Sequence, residues 1–379
     1  MSQLETGLPA WTYVDDDFFA LERAKIFAPS WQIICHESDI ADKGAYATLN
    51  FMGRLIMLVR GDDGAVRAFR NVCRHRAARL LDNNFGACSS RIVCPYHAWT
   101  YDLKGRFVGA PHRASYEEFR NEDYGLFPLK VEECGGFYFV LTGEDGPSFD
   151  DFIAPMREEF EIYKTKQMRA LGRISLRERA VNWKIATENY VDKLHLPVAH
   201  EGLSGLVGPT YELKIEGEAC RIEADLEAAA GPSLSAETYR KYLPEETRVP
   251  DHRRQRWIYM KLWPNLAFDL YPDQIDFMQF IPLAPGRTLL REISYALPDE
   301  RREMRAARYL NWRVNRVVNV EDKDIIERTQ AGFASGDYEP GPIAKDEIGL
   351  RDFVSRMRHE LPVCLERQPP RAAMRAEEI

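Results

Sequence analysis

No run of about 18 consecutive apolar residues occurs in the 379-residue chain, which leaves no candidate for a membrane-spanning helix. Basic excess is missing too: 51 Lys and Arg stand against 59 Asp and Glu, and the formal charge of −8 gives no electrostatic footprint for nucleic acid or an anionic membrane. The opening "MSQLETGLPAWTYVDDDFF" lacks the basic-then-apolar order of a secretory leader, so a cytoplasmic protein is expected. Cysteine is sparse. Seven residues at 35, 73, 88, 94, 134, 220 and 364 are odd in number and too scattered for a disulfide framework, so the thiols are expected to be reduced and some to be ligands. Internal repeats and low-complexity tracts are absent, and no G-x-G-x-x-G follows a strand-like segment, which removes the usual nucleotide-cofactor fingerprint. What remains is a globular composition, 45% hydrophobic, long enough for two packed domains and suited to a small-molecule or protein partner.

Residues 16 to 27, "DDFFALERAKIF", place acids in a first turn ahead of apolar residues at helical spacing, with Pro29 as a stop. Between about 38 and 145, short β-rich runs punctuated by "GDDG", "KGRF" and "CGG" predict an antiparallel domain of hairpins. Long helical segments follow. Then "WIYMKLWPNLAFDLYPDQIDFMQFIPLAPGRTLLREISYAL" alternates like a half-buried sheet, giving an α+β second domain from residues 1–37 and 146–379. The charged, Gly/Pro-punctuated stretch 213–256 reads as partly irregular surface covering.

Two connections of the first domain each carry one Cys and one His: Cys73-Arg74-His75 and Cys94-Pro95-Tyr96-His97. A single such pair has no diagnostic value, because buried Cys and core His are common. Two together do. Structural zinc sites usually draw two Cys from one knuckle and two His from another. Mixed supply from each loop suits a two-iron cluster in which two thiolates hold one iron and two neutral imidazoles the other, so that each loop reaches both metals. Imidazole in place of thiolate removes negative charge and raises the potential. Trp99 and Tyr101 are expected to pack beneath these loops, and Cys88 has no ligand role.

The motif "CRH…CPYHAW" resembles that of the Rieske non-haem iron oxygenases, in particular their catalytic α subunits, the ring-hydroxylating dioxygenase family. Rieske proteins of the cytochrome-complex type carry an additional Cys in each loop, where this chain has Arg74 and Tyr96. The resemblance implies an antiparallel β Rieske [2Fe-2S] domain beside a catalytic domain of antiparallel sheet covered by helices, of the START or helix-grip kind. It also implies one [2Fe-2S] cluster on Cys73, His75, Cys94 and His97, and one mononuclear Fe(II) per chain.

The second domain contains "NWKIATENYVDKLHLPVAH", residues 182–200. Asp192 and His195, three apart, would share a helix face; His200 would point elsewhere unless Pro197 ends or kinks the helix after Leu196 and lets His200 turn back toward His195. Two imidazoles and one carboxylate on one face of an iron leave the other face open for O₂ and substrate. The carboxylate must come from elsewhere, and "NVEDKDIIERTQ", residues 319–330, resembles the family segment in which the second acid of a pair is the ligand. That residue is Asp322, with Asp324 as the fallback; Glu321 and Glu327 are assigned to a solvated helix face. The resemblance gives Asp192 a different role. It would bridge His97 of one subunit to His195 of the next in a homotrimer, with Asn189 lining the iron pocket and Glu188 behind it.

The expected activity is therefore that of a terminal oxygenase component, mono- or dioxygenase, that hydroxylates a small organic substrate with O₂. Electrons would come from NAD(P)H indirectly, through a separate reductase or ferredoxin. An aromatic compound or aromatic acid, as in aromatic hydrocarbon catabolism, is the first choice of substrate; oxidative N- or O-demethylation of a betaine-like or methoxy compound is the second, since aromatic residues also cage quaternary nitrogen. Wall candidates are Trp257, Tyr259, Trp263, Phe268, Met278 and Phe280, of which strand alternation turns about half away. A plain electron-transfer Rieske protein is the alternative of another class.

Overall fold

The computed structural model describes residues 5–208, 211–227, 232–372 and 374. Its contacts divide into two compact units, one comprising Pro29–Phe149 and the other the chain before and after it. The chain opens with helix α1 (Asp16–Glu22), whose Phe18 N–H is capped by the Asp15 carboxylate at 3.0 Å, and a π-helical turn carries it to Phe27.

The inserted unit is built from eleven short strands. They are β1 (Trp31–His36), β2 (Ala45–Phe51), β3 (Arg54–Arg60), β4 (Val66–Arg70), β5 (Phe85–Ala87), β6 (Arg91–Val93), β7 (Thr100–Asp102), β8 (Phe107–Gly109), β9 (Pro128–Leu129), β10 (Val131–Cys134) and β11 (Phe137–Leu141). They form three antiparallel sheets, ordered β5-β2-β3-β4-β9, β6-β7-β8 and β1-β11-β10. The unit begins before residue 38 because β1 pairs with β11, which ties Trp31 to Leu141. Met57, Phe69, Ile92, Trp99 and Tyr101 belong to its core.

The other unit has an eight-stranded antiparallel sheet. Helix α2 (Phe149–Ile162), strands β12 (Arg169–Ala170) and β13 (Ser175–Arg179), and helices α3 (Trp183–Val191), α4 (Leu196–Ala199) and α5 (Glu201–Val207) lead into β14 (Glu212–Glu216) and β15 (Ala219–Asp225). After α6 (Leu234–Tyr242) come β16 (Arg256–Leu262), β17 (Leu266–Leu270), β18 (Ile275–Ala284) and β19 (Arg287–Ala296), then the 34-residue α7 (Arg302–Ser335) and α8 (Ile348–Glu360). The sheet runs β12-β19-β18-β17-β16-β15-β14, with β13 also on β19.

Part of the stretch read as irregular covering is sheet. Six of the seven residues of β15 are buried, Arg221 and Glu223 among them. Their charges are neutralised internally: Glu159 accepts from Arg221 at 2.8 Å and from Arg253 at 2.6 Å, and Glu223 accepts from Arg221 at 3.0 Å. A strand whose polar side chains pair inside the protein carries no apolar signature in sequence.

Candidate active site

In the inserted unit, the 73–78 and 94–99 connections have the same backbone. The Cys73 N–H donates to Ala78 O and the Ala77 N–H to Cys73 O; the Cys94 N–H donates to Trp99 O and the Ala98 N–H to Cys94 O. Ala77 (φ 56°) and Ala98 (φ 52°) occupy the same left-handed position in each turn. The different spacings Cys-x-His and Cys-x-x-His therefore sit in equivalent loops, and the His75 and His97 rings approach to 4.7 Å between centroids.

Both Cys73 and Cys94 are buried and free of disulfides. The Nδ1 atoms of His75 and His97 are buried with no hydrogen-bond partner, an unusual cost for two imidazoles in one place. Two free thiols and two unpaired Nδ1 atoms are the S₂N₂ donor set of a Rieske cluster, so the residues fit that group. Burial pushes the His75 imidazole below its ordinary value, aided by His97 and Arg76, which favours the neutral ligand form. Trp99 stacks on His75 at 4.9 Å and 8°, and the Tyr101 hydroxyl lies 3.3 Å from Cys73 Sγ while accepting the Arg74 N–H at 3.1 Å. Cys88 stays outside this set; burial pushes its thiol up.

In the other unit, the chain does not kink at Pro197. Helix α3 ends at Val191, Asp192 turns to extended backbone (φ −88°, ψ 135°), and Pro197 enters the first turn of α4, where its missing N–H costs nothing. The Asp192 carboxylate makes the turn. It accepts the Leu194 N–H at 2.8 Å and the His195 N–H at 3.1 Å, and meets His195 Nδ1 at 2.9 Å. His200 closes α4 and is buried.

Residues 311, 315, 319, 322 and 326 share one face of α7, and from it Asp322 meets His200 Nε2 at 2.9 Å and His195 Nε2 at 3.7 Å. One donor atom each from His195, His200 and Asp322 lies within 4.8 Å of the others, a spacing that one metal ion can span. Asn189 Nδ2 donates to Asp322 Oδ1 at 2.8 Å. Asp324 pairs instead with Arg328 on the exposed side, and Glu327 with Lys323.

Glu321 departs from expectation. Rather than facing solvent alone, it meets His200 Nδ1 at 2.8 Å, so both imidazoles have Nδ1 on a carboxylate and Nε2 toward the shared point. Burial lowers the His200 pKa, but the Asp322 and Glu321 carboxylates outweigh it and the net direction is upward. Glu188 lies behind the site, where the Tyr13 hydroxyl donates to it at 2.5 Å, and burial raises it to about 7.

A cavity of about 880 Å³ reaches Asn189, His195, His200 and Asp322. Of the six expected wall residues, Tyr259, Met278 and Phe280 line it. Trp257, Trp263 and Phe268 do not: Trp257, on the same face of β16 as Tyr259, packs on Tyr271; Trp263 packs on Phe353; and Phe268, at the opposite register parity to Asp269, packs on Phe160. Tyr190, Tyr211, Asp269, Gln274 and Asp276 also line the cavity and were not anticipated. The available signal was an aspartate at an inward register position of an otherwise apolar strand.

The chain matches the family described as ring hydroxylating alpha subunit (catalytic domain) over residues 162–362 and the Rieske [2Fe-2S] domain over 30–120. The protein belongs to the Rieske oxygenase α-subunit family. It is an oxidoreductase, the terminal oxygenase of a multicomponent system, with a [2Fe-2S] cluster, a mononuclear iron and a separate reductase as electron source. A catalytic domain in addition to the Rieske domain excludes the plain electron carrier.

It is 29% identical to the glycine betaine monooxygenase oxygenase subunit of Chromohalobacter salexigens, covering 93% of this Rieske oxygenase and 85% of that protein. To the carnitine monooxygenase oxygenase subunit of Acinetobacter baumannii it is 30% identical, with 87% of each covered. A quaternary ammonium Rieske monooxygenase solved with L-carnitine superposes with a TM-score of 0.79 at 26% identity, covering 94% of this chain and 96% of that one. A naphthalene 1,2-dioxygenase from Rhodococcus shares the fold, with a TM-score of 0.76 at 18% identity and 94% of each chain covered. No helix among the described residues is long and apolar enough to cross a membrane.

Proposed function

We propose that this oxygenase is a monooxygenase that removes an N-methyl group, or another N-alkyl group, from a small cationic amine. The observation that carries the reading is the tyrosine wall beside the His195, His200 and Asp322 cluster. Tyr190 and Tyr259 stand 6.4 Å apart at 82°, and Tyr211 and Tyr259 6.3 Å apart at 37°, so three electron-rich rings cluster on one cavity. Such faces attract a quaternary or protonated nitrogen by about 2 kcal/mol when desolvated, and offer the anionic carboxylate of an aromatic acid no comparable advantage. The names of the relatives point the same way and reverse the order of preference that put aromatic hydrocarbons first.

His195, His200 and Asp322 would hold the mononuclear iron and Cys73, His75, Cys94 and His97 the cluster. When bound, the two centres supply two electrons and activated O₂. This chain's residues do the rest. Asp192 and Glu321 fix the two imidazoles with Nε2 inward, Asn189 holds Asp322 Oδ1, and the tyrosines orient the substrate's nitrogen. With O₂, two electrons and two protons, a C–H bond next to nitrogen becomes C–OH and one water leaves; the carbinol then loses the amine to give an aldehyde. We further propose that the working unit is a homotrimer in which Asp192 also receives His97 of a neighbouring subunit, and that it functions in the cytoplasm.

The test is product analysis with reductase, O₂ and a panel of glycine betaine, carnitine, choline and aromatic acids. Formaldehyde or another aldehyde, in step with amine, is expected from a cationic member of the panel. Hydroxylated aromatic acid with no aldehyde would overturn the reading.

A further inference from the structure

The inner wall of the cavity carries a line of polar residues running straight across the sheet. Tyr259 on β16 is directly opposite Asp269 on β17, Asp269 is opposite Asp276 on β18, and Asp276 is opposite Ser294 on β19. Directly opposed residues project to the same face with Cβ atoms about 5 Å apart, so two carboxylates are placed side by side. All four residues line the cavity. Asp269 is 8% exposed.

The carboxylates are held by neutral donors only. Tyr190 and Tyr271 hydroxyls donate to the two oxygens of Asp269, and Gln274 Nε2 donates to Asp276 at 2.7 Å. Neither acid has an ion-pair partner among the described residues. The contrast with Glu292, another acid of the same cavity, is direct, since Arg177 neutralises it. Asp276 is half-buried; two carboxylates side by side with no counter-ion, one of them buried, are costly, and mutual repulsion adds to the desolvation of Asp269. Burial pushes Asp269 up to about 8 and Asp276 to about 7.

A second observation points to a ligand. Gln274, only 3% exposed, keeps its Oε1 buried without a partner on the cavity wall, and the Tyr259 hydroxyl is likewise buried and unpartnered. The part of the wall formed by β16 to β18 thus offers carboxylates, an amide oxygen and tyrosine rings, groups that attract positive charge, whereas the basic residues lining the same cavity, Arg177 and Arg179 on β13 and Arg305 and Arg316 on α7 among them, come from other elements.

We propose that Asp269 and Asp276 are the counter-charge of the substrate's cationic nitrogen and make charge, rather than shape, the criterion for entry. This rests on the reading of the substrate as a cationic amine. A cation of fixed charge lying over the pair would favour ionisation of a carboxyl and release a proton on binding; a neutral molecule of the same shape would not.

The test uses choline and its neutral carbon isostere 3,3-dimethylbutan-1-ol, with affinities taken from NMR titration of the iron-loaded enzyme. The unmutated enzyme is expected to prefer choline by tenfold or more. Asp269→Asn and Asp276→Asn should each cut that preference to a few-fold at most while leaving the isostere's affinity unchanged, with the cluster's visible spectrum confirming a folded protein. Calorimetry in buffers of different ionisation enthalpy should detect proton release with choline and none with the isostere. If the unmutated enzyme prefers choline but both variants keep the full preference, the counter-charge lies elsewhere and the inference falls while the substrate reading stands. If the unmutated enzyme has no preference, both fall.

Discussion

Glu321 and Asp322, consecutive on helix α7, meet opposite nitrogens of one imidazole: Glu321 Oε2 lies 2.8 Å from His200 Nδ1 and Asp322 Oδ1 lies 2.9 Å from His200 Nε2. The first contact fixes which nitrogen of His200 faces the point shared with His195 and Asp322. Glu321→Gln keeps the size but removes the charge, and should lower iron affinity by about 10- to 100-fold with the cluster's spectrum intact. Iron content after dialysis against a graded chelator series checks this; retention equal to the unmutated protein would make Glu321 a surface residue after all.

Asp192 occupies the matching position on His195, where it also caps the turn after α3. Asp192→Asn can keep the Leu194 N–H bond, since its amide oxygen accepts as Oδ1 does, but it gives up the second acceptor oxygen at His195 and the charge on the imidazole. The variant should keep its cluster and most of its iron. Reoxidation of the pre-reduced cluster on mixing with O₂ and substrate should nevertheless slow by at least tenfold. An unchanged rate would remove Asp192 from the electron path.

Tyr101 touches the cluster loops at Cys73 Sγ, 3.3 Å away. Hydrogen bonds to cluster sulfurs stabilise the reduced state and raise the potential. Tyr101→Phe should therefore lower the midpoint potential measured by redox titration, without changing iron or sulfide content.

The acid row makes stability depend on pH. Asp269 has its folded-state pKa raised to about 8 from an ordinary carboxylate value, chiefly by burial and by Asp276, against the opposing Tyr190 bond. Tyr190, Tyr211, Tyr259 and Tyr271 surround it, and Glu292 adds negative charge. The folded state then holds a proton that the unfolded chain has released. That contribution is present in full below the unfolded pKa and is lost as pH rises toward 8. Asp269→Asn, which does not titrate, should lose less stability than the unmutated enzyme in denaturant melts between pH 5 and 8. Parallel losses in the two proteins would contradict the raised value.

Much of this was legible in sequence for a physical reason. Cys73, His75, Cys94 and His97 announce themselves because scarce residue types recur at short spacing, and His195 and His200 flank a proline in the same way. Glu321 was hidden because an acid in "VEDKDIIE" looks solvated whether or not its helix turns it toward a histidine. Strand β15 was hidden because Arg221 and Glu223 are paired with Glu159 and with each other inside the protein. The turn at Asp192 was hidden too, since a side chain bonding its own backbone two and three residues on leaves no periodicity to read. Asp269 and Asp276 belong together only through strand register, which no local pattern contains.

The central claim is that one chain holds two separate iron centres on these seven residues, and metal and sulfide counting tests it most directly. The purified protein should contain three irons and two acid-labile sulfides per chain. Asp322→Ala should contain two and two, with an unchanged rhombic EPR signal on reduction, and Cys73→Ala should lose the sulfides and that signal. A chain with a single zinc, or an Asp322→Ala variant that still holds three irons, would contradict the account.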